Sequence, residues 1–500
     1  MVDETSQFFD NLGRRDRERL PRTVSGSVRF DLAHEDGIDT WVATIDKGRV
    51  WATRRVQDVD TVVRTDREFF GRLIRGEVRP VSAWMRNDIT SEGDFLFVLL
   101  LDRLFPRPPS GGYPPDVARA TGRVGQDTRL VRVLDGNTFV LSDGNGDIEA
   151  SDAVPAGFYS FDIRLLSLWR LTVNGERLSA LTVDDRQYFQ VRFFLVPGSP
   201  THYMDAQASI IRERSVGRSF DERLTVINHS AEPADFTIRL DVDSDFEALG
   251  TFRREAMGRI DRRVEGGSLR LNYRRDNFWR GARVSSTEPA RFDDGGLTYH
   301  VRVGPHGQWT TTLHVESQML RPDGEDVRHH LTGRQPDRDL QRDLHGWLDR
   351  APQLKSDWLT LNHMYRHGLV DLAALRHTPF SYPNMPVPSA GLPWSVNPGG
   401  RDTILCSLQA LPIAPELVTA TLCVLGVHQG SAVDDFRDEE PGKMLREFRG
   451  GELGAFDEIP MSYYGAADTT PLYVILLDEY ERWTGDAMLV RQLEETARAA

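Results

Sequence analysis

The sequence predicts a multidomain protein with a small α+β domain at the front, an antiparallel β-sandwich in the middle and a toroid of helical hairpins at the end. Three observations carry this. Residues 24–106 alternate apolar and polar residues and then turn to helical periodicity. From Gln126 to about Gln318 the chain reads as strand throughout. From Ala351 onward apolar residues recur with a 3.6-residue period. A length of 500 residues sets a prior of about three domains, in line with that division.

The front segment holds four short strand patterns, VRFDLA, DTWVATID, GRVWATRR and DTVVRTD, with turns at Glu35–Gly37, Asp46–Gly48 and Gln57–Asp58. REFFGRLIRGE follows as a helix that stops at Gly76, and then PVSAWMRNDITSEGDFLFVLLLDRLF, whose run from Phe95 to Phe105 is apolar on nearly every side. Helices with more apolar surface than a small sheet can cover predict an internal cavity; a plain α+β core is the competing reading. Residues 107–125, rich in Pro and Gly, predict a linker. In the stretch 126–318 the strands are separated by DGN, NGE, GGS and DDGG turns, with no helical pattern between them, so the sheets are antiparallel. DGNGD at Asp143–Asp147 lacks the downstream bidentate Glu of a calcium loop, and a hairpin turn explains it. Residues 319–352 are very polar and predict a solvated connecting helix. Residues 353–500 carry the helices SDWLTLNHMYRHGLVDLAALR, RDTILCSLQALP, PELVTATLCVLGVHQG and TPLYVILLDEYERWTG. Pro415 sits at a first helical position, and Gly426 or Gly430 near a stop.

Composition excludes several functions. A formal charge of −14 argues against nucleic acid as the main partner, which needs a basic surface, and weakly against an anionic membrane. No apolar run reaches the roughly 18 residues of a spanning helix, and the N-terminus MVDETSQFFDNLGRRDRERLPR has no apolar core of a secretory signal. Cys406 and Cys423 lie in apolar helical contexts and read as buried thiols of a reducing compartment, so a cytoplasmic location is expected.

Chemistry concentrates between Trp394 and Asp468. Arg401 and Asp402 follow a Gly-Gly turn and open a helix. Asp402 stands where an N-cap would, so a capped helix is the bland reading. The preceding loop displays Trp394. A Trp beside a carboxylate and a guanidinium suits a sugar subsite: the ring packs on the C–H face and the ions fork across hydroxyls. In RDEEPGKMLREFR, Glu440 and Lys443 flank a Pro-Gly turn. In YYGAADTTPLYV, Tyr464 and Asp468 stand at a helix entry, where Asp468 could simply cap. Three polar helix entries in one 75-residue stretch favour a lined pocket.

Two resemblances sharpen these expectations. Asp39-Thr40-Trp41, Gly48-Arg49-Val50, Asp60-Thr61, Phe69-Phe70, Gly76-Glu77, Pro80 and Glu92-Gly93-Asp94 follow one another as in sterol carrier protein domains. That resemblance covers about 80 residues of the front domain, residues 1–106, and implies a lipid tunnel lined here by Phe70, Trp84, Met85 and Phe97. DIRLLSLWRLTVNGERLSAL, RERSVGRSFDERLTVINHS and DVDSDFEALGTFR resemble the N-terminal domain of bacterial glycogen-debranching, amylo-α-1,6-glucosidase-like proteins. Asp162-x-Arg164 and Asp243-x-Asp245-Phe246 are its more specific pieces; the Asp162–Arg164 pair is expected to tie strand ends together. AGLPW, GRDT, LQALP, PELVTATL, HQG, RDEEPGKML and YYGAADTTPLYV resemble the same family and, more distantly, the glucoamylases with their (α/α)6 barrel. The resemblance implies that Arg401 and Asp402 hold a terminal glucose, with Glu440, Lys443, Tyr464, Asp468 and Trp394 as further substrate contacts. The sequence departs from the family at Gly399, where an aromatic residue is usual, and at Arg446, where His is usual.

The activity so implied is hydrolysis of α-glucosidic bonds, with inversion and without metal or cofactor, on an α-glucan or glucoside, and with a lipid as a second ligand of the front domain. Inversion needs an acid and a base about 6.5–9.5 Å apart. In the resembled superfamily both come from later loops, so they are expected beyond Ala500, and 353–500 reads as the first part of the toroid. Alternatives are a non-catalytic carbohydrate- or lipid-binding protein with a remnant glycosidase domain, and a structural fusion whose front domain only mediates assembly.

Overall fold

The computed structural model describes residues 4–12, 20, 24–106, 130–320 and 339–500, less short stretches at 36, 56, 87, 95, 152–153, 161–162, 199–206, 218, 249–257, 380–384, 393–394, 396–398 and 450. The expected linker and most of the expected connecting helix lie outside the described residues. The chain divides into two compact units, residues 1–118 with 321–335 and 377–500, and residues 119–320 with 336–376.

The first unit opens with α1 (Glu4–Leu12), which the periodicity reading did not anticipate. β1 (Gly26–His34), β2 (Gly37–Asp46), β3 (Arg49–Thr53), β4 (Thr61–Asp66) and β5 (Thr90–Gly93) form one sheet in the order β3-β2-β1-β4-β5. β1 and β4 run parallel and the other neighbours antiparallel. β5 falls inside the stretch read as helical; its four residues are too few to show a period. α2 (Arg67–Ile74) is capped by Asp66, whose carboxylate accepts from Phe69 N at 2.6 Å. It stops at Gly76, which adopts φ +70 where the chain turns left-handed. α3 (Pro80–Met85) and α4 (Leu96–Leu104) complete the layer.

α1 drives Phe8 and Phe9 into the interior. Phe9 stacks on Trp41 at 4.6 Å and on Phe70 at 5.5 Å between ring centroids, and Phe8 stacks on Phe105 at 4.7 Å. Phe30 meets Phe70 at 5.9 Å. Phe70, Trp84 and Phe97 are all buried, Trp84 donating to Ser91 Oγ at 3.0 Å. The side chain of Met85 lies outside the described residues.

Among the described residues of the second unit every strand pairing is antiparallel. Four strands form a sheet in the order Ile163–Leu166, Gly157–Ser160, Thr138–Ser142, Val131–Asp135. The second sheet has 13 strands and runs from Arg259–Glu265 to Arg291–Asp293, as a β-sandwich requires. The two-residue period decides what its core contains. In Ala208–Val216 the inward phase carries Ala208, Ile210, Arg212, Arg214 and Val216; in Ser219–Asn228 it carries Phe220, Glu222, Leu224 and Val226. Arg214 pairs in register with Glu222. Two guanidiniums and a carboxylate are thus fully buried, with Arg212 Nε 3.0 Å and Arg214 Nη2 2.6 Å from Glu222.

The Asp143–Asp147 turn belongs to this network. It is not a hairpin: the strand after it, Ile148–Glu149, pairs with Leu168–Val173 instead of the strand before it. Asp143 Oδ1 accepts from Asn145 N and Asp147 N, and the buried Asp147 carboxylate accepts from Arg212 Nη1 at 2.6 Å. The two family-like motifs of the sandwich also meet. Arg164 donates from Nε and Nη2 to Asp245, at 3.0 and 2.6 Å, reaches Glu247, and donates from Nη1 to Tyr159 Oη at 3.3 Å, so its shown ionic partners are on the other motif. Asp162 lies outside the described residues. α5 (Leu340–Arg350) and α6 (Leu359–Ala374) close this unit.

Back in the first unit, α7 (Gly400–Ala410) and α8 (Pro415–Val427) form a hairpin, with Pro415 at the first position of α8. α9 (Glu452–Ala455) is a single turn. α10 (Thr469–Thr484) packs on the hairpin and ends at Gly485, φ +73; α11 (Ala487–Gln492) and α12 (Glu494–Ala499) follow. The core between them contains Ile404, Leu422, Leu425, Tyr473 and Leu476. Ser407 and Thr421 bond to each other at 2.8 Å, and Tyr473 Oη donates to Leu422 O. Cys406 and Cys423 are free and partly exposed instead of buried, and the burial they do have raises both thiols.

Candidate functional site

Three loops are stitched together at the entries of α7 and α10. Gly400 N donates to Arg446 O at 2.6 Å, and Gly399 bridges Glu447. Glu447–Phe448 pairs with Ser462–Tyr463. Met444 N donates to Thr470 Oγ1, and Arg446 Nη1 to Gly465 O at 2.8 Å. Gly400 is required for this closeness: a Cβ there would lie 1.7 Å from the Leu445 carbonyl oxygen.

Arg401 and Asp468 meet on the resulting rim, Nε to Oδ2 at 3.1 Å, with side chains 56% and 47% exposed. Asp468 is the N-cap residue of α10, yet its side chain makes no capping bond; the carboxylate goes to Arg401. The expectation that Asp402 stands as an N-cap is corrected. Gly399 holds that position, and Asp402 is the third residue of α7, exposed in the first turn, where the helix dipole favours an acid.

Glu440 and Lys443 form a separate pair, 3.1 Å apart, across the turn at Pro441-Gly442. They border an open depression of about 460 Å3 together with Asp434, Asp435, Asp438 and Glu439. Gly442 adopts φ +91, and a Cβ there would lie 1.9 Å from Ala499 O. Tyr464 is buried: its hydroxyl donates to His428 O at 2.8 Å, and its ring lies 5.4 Å under the Arg437 guanidinium. Trp394 lies outside the described residues. The structure therefore pairs Arg401 with Asp468, leaves Asp402 exposed in the first turn of α7, puts Glu440 and Lys443 in another depression, and uses Tyr464 in packing.

Sequence reasoning missed Arg437 and Glu439, buried and 3.4 Å apart, and Arg79, buried against Asp434 at 2.8 Å. Arg437 and Glu439 were hidden in what reads as a solvated charge run. Arg79 and Asp434 are 355 residues apart, beyond any local signal. Among the described residues no cluster of His, Cys, Asp and Glu could hold a metal ion, and no helix is long and apolar enough to cross a membrane.

Comparison with known proteins bears on two stretches. Residues 133–314 match the model of the N-terminal domain of (some) glycogen debranching enzymes, and residues 9–106 match the SCP-2 sterol transfer family. No curated protein sequence matches the chain. Among solved structures, a candidate kojibiose phosphorylase from the human microbiome is similar at 10% identity and a TM-score of 0.47, over 72% of this chain and 54% of that one. This chain thus spans about half that protein's length. Palmitated SCP2L2 from Aedes aegypti is similar at 17% identity and a TM-score of 0.19, over 21% of this chain and 95% of that one. The sterol carrier protein domain 2 of Helicoverpa armigera is similar at 20% identity and 0.18, over 20% and 82%. The chain thus carries, in order, a stretch that matches the SCP-2 sterol transfer family and a stretch that matches the N-terminal domain of (some) glycogen debranching enzymes.

Proposed function

We propose that this protein acts on α-glucosidic bonds as an amylo-α-1,6-glucosidase-like glycoside hydrolase, with the helices after Ala351 forming part of an (α/α)6 toroid. The observation that carries the reading is the Arg401–Asp468 pair. Both side chains stand half-exposed at helix entries, and Asp468 leaves its own helix uncapped to make the pair. A carboxylate and a guanidinium held together but open to solvent can fork across vicinal hydroxyls with charge-assisted bonds. Asp402, one residue on from Arg401 and exposed in the same helical turn, is proposed as a second carboxylate of the site. The debranching-type domain at 133–314 supports an α-glucan as substrate. Glu440, Lys443 and Trp394 are further substrate contacts in this proposal; Tyr464 positions the 428 and 437 loops. General acid and base are not assigned. A lipid is the proposed second ligand of the front domain.

The test is titration of the chain with maltose and panose, followed by calorimetry and by saturation-transfer NMR. Arg401→Ala and Asp402→Asn are expected to abolish binding while the thermal transition stays in place. Equal affinity in folded variants overturns the rim as the sugar site. Release of β-glucose from panose or glycogen, followed by NMR, tests inversion.

A further inference from the structure

The candidate sugar site does not stand on α7 and α10 alone. Side chains of the front domain reach the 427–457 segment that leads into it. Arg79 Nη2 donates to Asp434 Oδ2 at 2.8 Å, with Nε 3.8 Å from Asp457 Oδ1. Ser82 Oγ, on α3, donates to Asp457 Oδ1 at 2.7 Å. Arg86 Nη1 donates to Ala455 O at 3.0 Å, and Arg103, on α4, donates to the carbonyls of Val427 and Gln429. Arg79, Ser82 and Asp434 are buried. Asp457 is held at φ +54, which residues other than glycine adopt uncommonly.

α3 serves both sides. Two residues on from Ser82, Trp84 donates to Ser91 of β5 at 3.0 Å. Successive helical residues lie about 100° apart, so α3 gives one face to the front sheet and the opposite face to the 434–457 loop. A cavity of about 40 Å3 remains between α3, α4 and the 427–464 segment, with Arg79, Ser82, Arg103 and His428 in its lining. Close packing is incomplete there, so directional bonds set how the two segments seat.

The grips of Arg79 and Arg103 converge on Tyr464. Asp434 exchanges backbone bonds with Glu439 at 3.0 Å and its carbonyl also accepts from Arg437 N. Arg437 O accepts from Tyr464 N at 2.9 Å, and the Arg437 guanidinium lies over the Tyr464 ring. The carbonyls held by Arg103 flank His428, whose own carbonyl accepts from Tyr464 Oη at 2.8 Å. Beside Tyr464, Ser462–Tyr463 pairs with Glu447–Phe448, and Tyr463 O accepts from Arg446 N at 2.9 Å. Arg446 O in turn accepts from Gly400 N at 2.6 Å, next to Arg401. Every step is a hydrogen bond or a residue or two of chain, a contiguous network of the kind that carries coupling.

We propose that the front domain positions the candidate sugar site: Arg79 and Arg103 hold the 427–437 segment, and through Tyr464 and Arg446 that segment fixes Gly400 and Arg401. The front domain then serves carbohydrate binding with or without a lipid inside it. What the rim binds rests on the sugar-site reading; the positioning does not, because it can be read without sugar.

The experiment is hydrogen–deuterium exchange of the 500-residue chain at pH 7, followed by mass spectrometry over residues 399–404 and 444–449, with 208–228 of the sandwich as reference. Arg79→Gln/Asp434→Asn removes the ion pair without stranding a charge. Arg103→Met removes the guanidinium that holds the carbonyls of Val427 and Gln429. Exchange at least tenfold faster over 399–404 and 444–449 is expected in each, with 208–228 unchanged. Arg79→Lys keeps a cation against Asp434 and should restore protection. Maltose titrated in parallel should bind at least fivefold more weakly to the first two variants and near its wild-type affinity to Arg79→Lys. Unchanged exchange over 399–404 and 444–449 in either folded variant overturns the proposal. So does exchange that quickens equally over 208–228, which marks a general loss of stability. A wild-type chain that binds no maltose, with exchange still responding over 399–404 and 444–449, refutes the sugar reading of the rim and supports the positioning.

Discussion

Glu222→Gln removes the anion from the buried network of the sandwich. Glu222, Arg212 and Arg214 have no exposed surface. The carboxylate accepts from Arg212 Nε at 3.0 Å, from Arg214 Nε at 3.0 Å and Nη2 at 2.6 Å, and from Trp169 Nε1 at 3.2 Å. Burial pushes this carboxyl up, and the two guanidiniums outweigh burial and hold it below its ordinary value. Glutamine keeps one acceptor but turns an NH2 donor toward a guanidinium, leaving two buried cations with Asp147 as the shown anionic partner of Arg212. Breaking a buried pair on one side costs about 3–5 kcal/mol, against a whole-domain stability of about 5–15 kcal/mol. In urea, with a slope of about 1–3 kcal/mol/M, the midpoint should fall by roughly 1–5 M. Far-UV circular dichroism follows the transition, and Arg214→Met alone and combined with Glu222→Gln completes a double-mutant cycle. The double variant should lose less than the sum of the singles. A loss below about 1 kcal/mol for Glu222→Gln, the value of an exposed pair, would refute the view that the network is dry and tightly coupled.

Further predictions follow from other parts of the chain. Arg401→Ala and Asp468→Asn should change stability by less than about 1 kcal/mol in thermal melts, because the pair is half-exposed, while abolishing sugar affinity. Gly400→Ala should cost about 1–3 kcal/mol by overpacking, since its Cβ would meet Leu445 O and break the bond from Gly400 N to Arg446 O; a neutral result in urea titration would contradict the loop stitching. Phe9→Ala should cost about 3–5 kcal/mol and open a void against Trp41 and Phe70, testable by uptake of a fluorescent fatty acid. Stability should also fall with acid. Loss of solvent holds His377 down to about 3 and His428, with two arginines beside it, down to about 4, from 6.5. The unfolded chain takes up these protons as pH drops through 6.5 while the native chain does not. Stability is therefore complete above pH 6.5 and declines below it, by up to about 2 kcal/mol for His377 at pH 5 and less for His428, which touches the cavity. Flat melting temperatures between pH 7 and 5 would contradict this.

Much of the architecture is determined by local pattern alone. Alternation in β1 to β4, the Asp66 cap and Gly76 stop of α2, Pro415 at the head of α8 and Gly485 at the end of α10 each act within one or two turns of chain, so their residues suffice to place them. The debranching-like and sterol-carrier-like motifs were legible for the same reason. The sequence also marked Arg401, Asp402 and Asp468 as polar helix entries, but it could not say that Asp468 would leave α10 uncapped to reach Arg401, 67 positions earlier. Tertiary structure alone decided that choice. It also decided that Arg164 pairs with Asp245, that the Asp143–Asp147 turn anchors Arg212, that α1 fills the front domain with Phe8 and Phe9, and that Arg79 meets Asp434. Each of these contacts matches two groups far apart in sequence. Strand alternation places a side chain inside or outside; which charge faces it there depends on register and on docking, and neither is written in a local period.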